Sequence, residues 1–133
     1  KRIDNYWKRR KEIWEFYNKQ FSDLHCMLPA DPEPDTKHGY HLYTPLIDVD
    51  RLGKSRDWFL DAFTSENIGV GVHYVPIHLH PFYQTVYGWK IGDFPNAEFI
   101  GERTISLPLS PALSDEDVTD VVNVFRKVLL KHK

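Results

Sequence analysis

The sequence predicts a small two-layer α/β domain, with a mainly antiparallel sheet of about three strands, helices packed on one side of it, and a long N-terminal helix. Large apolar residues recur at helical spacing near both ends of the chain. Short β-type runs lie between them, and Pro and Gly punctuate the junctions. The 133 residues make one domain of ordinary size, and roughly two-thirds of the surface of such a chain is buried on folding, enough for a real core.

The elements follow in order. Ile3, Trp7, Trp14, Tyr17, Phe21 and Leu24 form the stripe of an amphipathic helix, with Lys8, Arg9, Arg10 and Lys11 as its solvated flank. Pro29, Pro32, Pro34 and Gly39, mixed with Asp31, Glu33 and Asp35, lack helix formers and backbone donors, so residues 29–39 are a loop. His41 to Ile47 reads as a strand, which Pro45 confines to an edge or an end. A helix is expected from about Ser55 to Glu66, with Trp58, Phe59, Ala62 and Phe63 on its apolar face and a stop at Asn67-Ile68-Gly69. Gly69 to Tyr74 is a second β-type run, whose parity puts His73 on the face opposite Val70 and Val72. Residues 76–89 read as irregular and rich in rings. Phe94 to Arg103 looks helical, and Thr104 to Leu109 looks like a short strand before a turn between Pro108 and Pro111. The last element is the clearest: Ser114 caps a helix whose first turn holds Asp115, Glu116 and Asp117. Its stripe is Val118, Val121, Val122, Phe125, Val128 and Leu129, and Arg126, Lys127, Lys131 and Lys133 face the negative end of its dipole.

Composition narrows the function classes. Lys plus Arg total 17 against 19 Asp plus Glu, a net charge of -2 that gives no electrostatic reason to expect nucleic acid or an anionic membrane as partner. A single Cys, Cys26, permits no internal disulfide, which fits a reducing cytoplasm, and no apolar run reaches the roughly 20 residues of a membrane span. The first residue is not Met and the opening reads as mid-helix, so the chain is expected to be a piece of something longer.

The residue types bear on three chemistries. His73, His78 and His80 have the residue type for zinc, but Pro76 and Pro81 break the strand geometry and no nearby carboxylate or thiol completes the set, so no metal is expected. Cys26, between His25 and Met27, reads as a half-buried thiol rather than a nucleophile. No GxSxG, GxxxxGK[ST] or GxGxxG stands in the sequence, and no autonomous catalytic set emerges. What remains is a loop rich in His and aromatic residues, a composition that lines sites.

The residues also carry a family likeness. Gly71-Val72-His73-Tyr74-Val75-Pro76-Ile77-His78-Leu79-His80-Pro81-Phe82-Tyr83 is followed by Phe94-Pro95-Asn96-Ala97-Glu98, Arg103, Ser106-Leu107-Pro108-Leu109 and Leu113-Ser114-Asp115-Glu116-Asp117-Val118. In that order and spacing the blocks resemble the C-terminal domain of the DegT/DnrJ/StrS sugar-nucleotide aminotransferases. The resemblance takes in the Arg10 and Tyr17 positions and makes residues 1–28 a linking helix and 29–133 the small domain. It implies a fold-type-I enzyme that uses pyridoxal phosphate to move an amino group, usually from glutamate, onto a nucleotide-linked keto-sugar for surface polysaccharide or amino-sugar biosynthesis. The parent would be a cytoplasmic homodimer. The cofactor lysine belongs to that family's large domain and nothing here matches its segment, so the chain alone is expected to be inactive and to hold neither catalytic residues nor cofactor. The substrate-binding positions implied are His73, Tyr74, His78, Tyr83 and Arg103, each with loop packing, or for Arg103 a salt bridge to Glu98 or Glu102, as the plainer alternative. The rival readings are a stand-alone sugar-nucleotide or metal-binding module built on the loop from His73 to Tyr83, and an interaction domain built on Trp7 and Trp14.

Overall fold

The computed structural model describes residues 2–131. Lys133, counted above at the end of the last helix, lies outside the described residues. The chain runs as α1 (Arg2–Phe21), β1 (Cys26–Met27), β2 (Leu46–Ile47), α2 (Val49–Leu52), α3 (Arg56–Ser65), a 3-10 turn (Ile77–Leu79), α4 (Pro81–Tyr87), α5 (Pro95–Gly101) and α6 (Asp115–Leu130).

α1 buries Trp14, Tyr17 and Phe21 of the expected stripe, together with Ile13, which the stripe did not include. It ends at Phe21, where the amide of Leu24 turns back to the Phe21 carbonyl at 3.0 Å. α6 buries the whole of its expected stripe and carries a reciprocal cap, in which the Ser114 hydroxyl accepts from the Asp117 amide and the Asp117 carboxylate accepts from the Ser114 amide. These helices meet α3 in one core. The Phe125 ring lies 4.3 Å from Phe21 and stacks on Phe63 at 5.4 Å. Each such side chain, withdrawn wholly from water, stabilises the fold by about 1.5–3 kcal/mol.

The expectation of three strands needs correction. The regular sheet has two strands, with Cys26 opposite Ile47 and Met27 opposite Leu46 in antiparallel register. The three predicted runs do lie side by side, but the pairing is interrupted: Tyr43 bridges to Leu107 and Leu46 to Thr104, with one-way backbone bonds from Leu107 to Tyr43, from Ile105 to Pro45 and from Ile47 to Arg103, and Gly71 bridges to Ser106. Pro45 has no N–H to give the ladder, and Pro108 closes the 104–107 segment at its far end, so neither run sustains a continuous ladder. β1 lies within residues 1–28, expected as a linking helix; the helix itself stops at Phe21 and the chain is extended at Cys26 and Met27. α2 was also missed, a single turn capped by Asp48, whose carboxylate accepts from the Arg51 amide, and closed by Gly53 at φ 65°. Residues 76–89, read as irregular, hold the 3-10 turn and α4; Pro81 stands in the first turn of α4 and Gly88 ends it at φ 69°.

Two tyrosines tie the sheet region to α1. Tyr17 donates to the Pro108 carbonyl at 2.9 Å and Tyr43 to Asn18 Oδ1 at 2.8 Å. Burial pushes both hydroxyls far above their ordinary pKa, so they remain donors at any physiological pH. The 104–107 segment is thus anchored beside α1, and Ser106 in it is the wall on which His73 rests.

Candidate functional site

The Gly71–Ser106 bridge sets the first part of the site. Gly71 and Ser106 exchange both backbone hydrogen bonds, at 3.2 and 2.8 Å. His73, two residues on, leans to the same side, and its Nδ1 meets Ser106 Oγ at 2.6 Å. The Tyr74 ring stands edge-on to His73 at 4.8 Å and is 71% exposed. His73, Ser106, His41 and Gly69 are among the residues lining a cleft of about 270 Å³.

The second part is a chain of rings on the 3-10 turn, α4 and the loop before α5. His78 is only 4% exposed, and its Nε2 lies 2.8 Å from Glu98 Oε1. The Glu98 carboxylate also accepts from the Gly92 amide, at 2.8 and 3.1 Å, and from the Phe94 amide at 3.4 Å. These donors hold its pKa below the ordinary carboxylate value, the Gly92 amide contributing most and His78 next. From His78 the contacts run to Phe94 at 4.8 Å, to Trp89 at 5.2 Å and to Tyr83 at 6.0 Å, with Tyr87 stacked on Trp89 at 4.7 Å. Tyr83 and His78 therefore belong to one aromatic unit.

Arg103 stands apart from both. Its Nη2 donates to Asp50 Oδ2 at 2.8 Å, its Nη1 lies 3.3 Å from Glu102 Oε2, and its guanidinium sits 4.0 Å over the Phe99 ring. It lines a different cleft, of about 420 Å³, with Asp48, Asp50, Cys26 and Met27 among the other walls. The Cys26 thiol in that cleft is pushed up to about 12, first by burial and then by Asp23, which leaves it without thiolate character at neutral pH. Among the described residues no three His, Cys, Asp or Glu side chains converge as a metal site would require.

Of the five expected positions the structure joins His73 with Tyr74 and His78 with Tyr83, and leaves Arg103 elsewhere. Ser106, Glu98 and Asp50 are the residues that sequence reasoning did not place. In sequence Ser106 reads as plain core strand and Glu98 only as a partner of Arg103. The spacing of Gly71 and His73 was a signal for the first; a contact from residue 50 to residue 103 leaves none in a single sequence.

The family model described as the DegT/DnrJ/EryC1/StrS aminotransferase family matches residues 1–126. The chain belongs to that family. Among curated relatives, the spore coat polysaccharide biosynthesis protein SpsC of Bacillus subtilis is 40% identical over 130 residues, 97% of this chain and 33% of that protein. Of solved structures, the aminotransferase TlmJ from Streptoalloteichus hindustanus superposes with a TM-score of 0.85 at 28% identity, over 98% of this chain and 33% of that one. Spr1654 from Streptococcus pneumoniae, solved in PLP and PMP forms, gives 0.88 at 27% identity, over 99% of this chain and 33% of that one. The chain spans about a third of the length of these aminotransferase-family relatives.

Pyridoxal phosphate is the cofactor of this aminotransferase family, and it requires a lysine amine for its Schiff base together with a phosphate cup. The residues here do not fit it. The described lysines are exposed, apart from the half-buried Lys11, which pairs with Glu15, and none of them lines the clefts above. The chain's own contribution is a wall of His and aromatic side chains.

Proposed function

We propose that the whole protein is a pyridoxal-phosphate-dependent aminotransferase of fold type I that moves an amino group from glutamate to a nucleotide-linked keto-sugar, and that this chain is its small C-terminal domain. In this reading residues 1–28 link a large catalytic domain to residues 29–133, the parent is a cytoplasmic homodimer, and its product feeds surface polysaccharide or amino-sugar biosynthesis. The observation that carries it is the family match over residues 1–126, with a polysaccharide-biosynthesis relative 40% identical across the chain.

This reading divides the labour between the two domains, and the arrangement of the side chains supports it. His73, Tyr74 and Tyr83 have ring nitrogens or hydroxyls available to the sugar nucleotide, and Tyr74 stands most open. His78, held by Glu98, and Arg103, held by Asp50 and Glu102 in the separate cleft, are the remaining substrate-binding positions of this reading. The chain closes over the substrate, while the Schiff-base lysine comes from outside it.

Borohydride reduction of the full-length source protein followed by peptide mapping tests this. A pyridoxyl group on a lysine upstream of Lys1 is the expected outcome. A full-length protein that begins at Lys1 and carries no pyridoxyl group would instead support a stand-alone binding module that uses the loop from His73 to Tyr83.

A further inference from the structure

We infer that Ser106 is a positioning residue that fixes the tautomer of His73, so that the ring offers Nε2–H as a donor and the ligand atom it meets is an oxygen acceptor. The backbone supplies the geometry. Gly71 and Ser106 form a hydrogen-bonded antiparallel pair, and residue 73 projects to the same face as residue 71. Because position 71 has no side chain, the imidazole folds back across it; a Cβ added at Gly71 would lie 3.4 Å from His73 Cε1. The ring thereby reaches Ser106, with Nδ1 at 2.6 Å from Oγ.

The proton count then selects one arrangement. Among the described residues Ser106 Oγ has no hydrogen-bond partner other than His73 Nδ1, and His73 Nε2 has none. Ser106 is 6% exposed, and a hydroxyl so buried is costly to leave without an acceptor for its proton. Directed at Nδ1, that proton is satisfied, and Nδ1 must then be bare. In the neutral imidazole the remaining proton sits on Nε2. A ring in this state donates to a phosphoryl, carbonyl or hydroxyl oxygen and has nothing to offer an ammonium group. The ligand half of the inference rests on the function proposed above; the tautomer half does not.

Long-range proton–nitrogen correlation spectra of the ¹⁵N-labelled chain test it, recorded at successively higher pH until the His73 ring signals stop changing and the ring is neutral. The His73 signals are assigned by their loss in His73→Gln. The expected wild-type pattern is a protonated Nε2 and a bare Nδ1. Ser106→Ala should shift both nitrogens toward averaged values, the sign of mixed tautomers, and Ser106→Thr, which keeps a hydroxyl, should preserve the wild-type pattern. A wild-type ring with its proton on Nδ1 overturns the inference whether or not the variants fold, and so does an unaltered pattern in Ser106→Ala. No ligand is present in this experiment, so a chain that binds no sugar nucleotide leaves its result intact.

Discussion

Glu98 decides how firmly the aromatic unit is held. Its carboxylate gathers the Gly92 amide, the Phe94 amide and His78, three donors from two separate stretches of chain. Each of them favours the ionised form, so the pKa in the folded state lies below the unfolded value. A depressed carboxylate pKa stabilises the fold above the unfolded value, and that stabilisation is lost as the pH falls through the folded one. The segment should therefore loosen in acid, below the ordinary value of 4.5, with His78 as the titratable group facing the carboxylate. The Gly92 amide shift, followed through an acid titration, is expected to move in that window in the wild type and to stay flat in Glu98→Gln. A flat wild-type profile would mean that the carboxylate is not the anchor. The sequence made Glu98 visible as part of a family block without showing what it holds, because its three donors lie four to twenty positions away and meet it only through the turn at Gly92.

At the scale of elements, the contact between α5 and residue 76 is the tightest constraint on the site. A Cβ added at Gly101 would lie 2.6 Å from both Cγ and Cδ of Pro76, so α5 has to retreat or the proline has to move. Overpacking of this kind costs about 1–3 kcal/mol. Gly101→Ala is expected to lower stability by that amount in chemical denaturation, and Pro76→Ala in the same chain should restore part of it. A neutral Gly101→Ala would show that the helix end yields freely. The helices were the legible part of this architecture: the α6 stripe and its Ser114 cap can be read residue by residue, and so can the buried half of α1. The sheet was not. The residue types mark 41–47 and 104–109 as extended, but whether extended segments form a full ladder or an interrupted one depends on which amides face one another, and that pairing is long-range. His73 came out of parity alone; its partner Ser106 came from the bridge.

For the molecule as a whole, the proposed division of roles has a direct consequence. The 133-residue chain mixed with pyridoxal phosphate and glutamate should form no amino-sugar from a nucleotide-linked keto-sugar, assayed by mass spectrometry of the products; turnover by this chain would overturn the proposed roles. The chain nevertheless displays Tyr74, Ile77, Phe82, Tyr87 and Ile91, all more than half exposed, on one stretch of 18 residues. Surface of that kind invites indiscriminate association. The sparse pairing of the sheet bears on which association is open to it. One border is β1, two residues long and followed at once by Leu28 and Pro29; the other is the lone pairing at Gly71, with Pro76 five residues on. Neither border presents a run of free amides and carbonyls along which a foreign strand could find a register and propagate. The apolar groups sit largely on short helices and turns, so whatever meets them must do so through side-chain fit, and growth into cross-β fibres is denied a template at both margins.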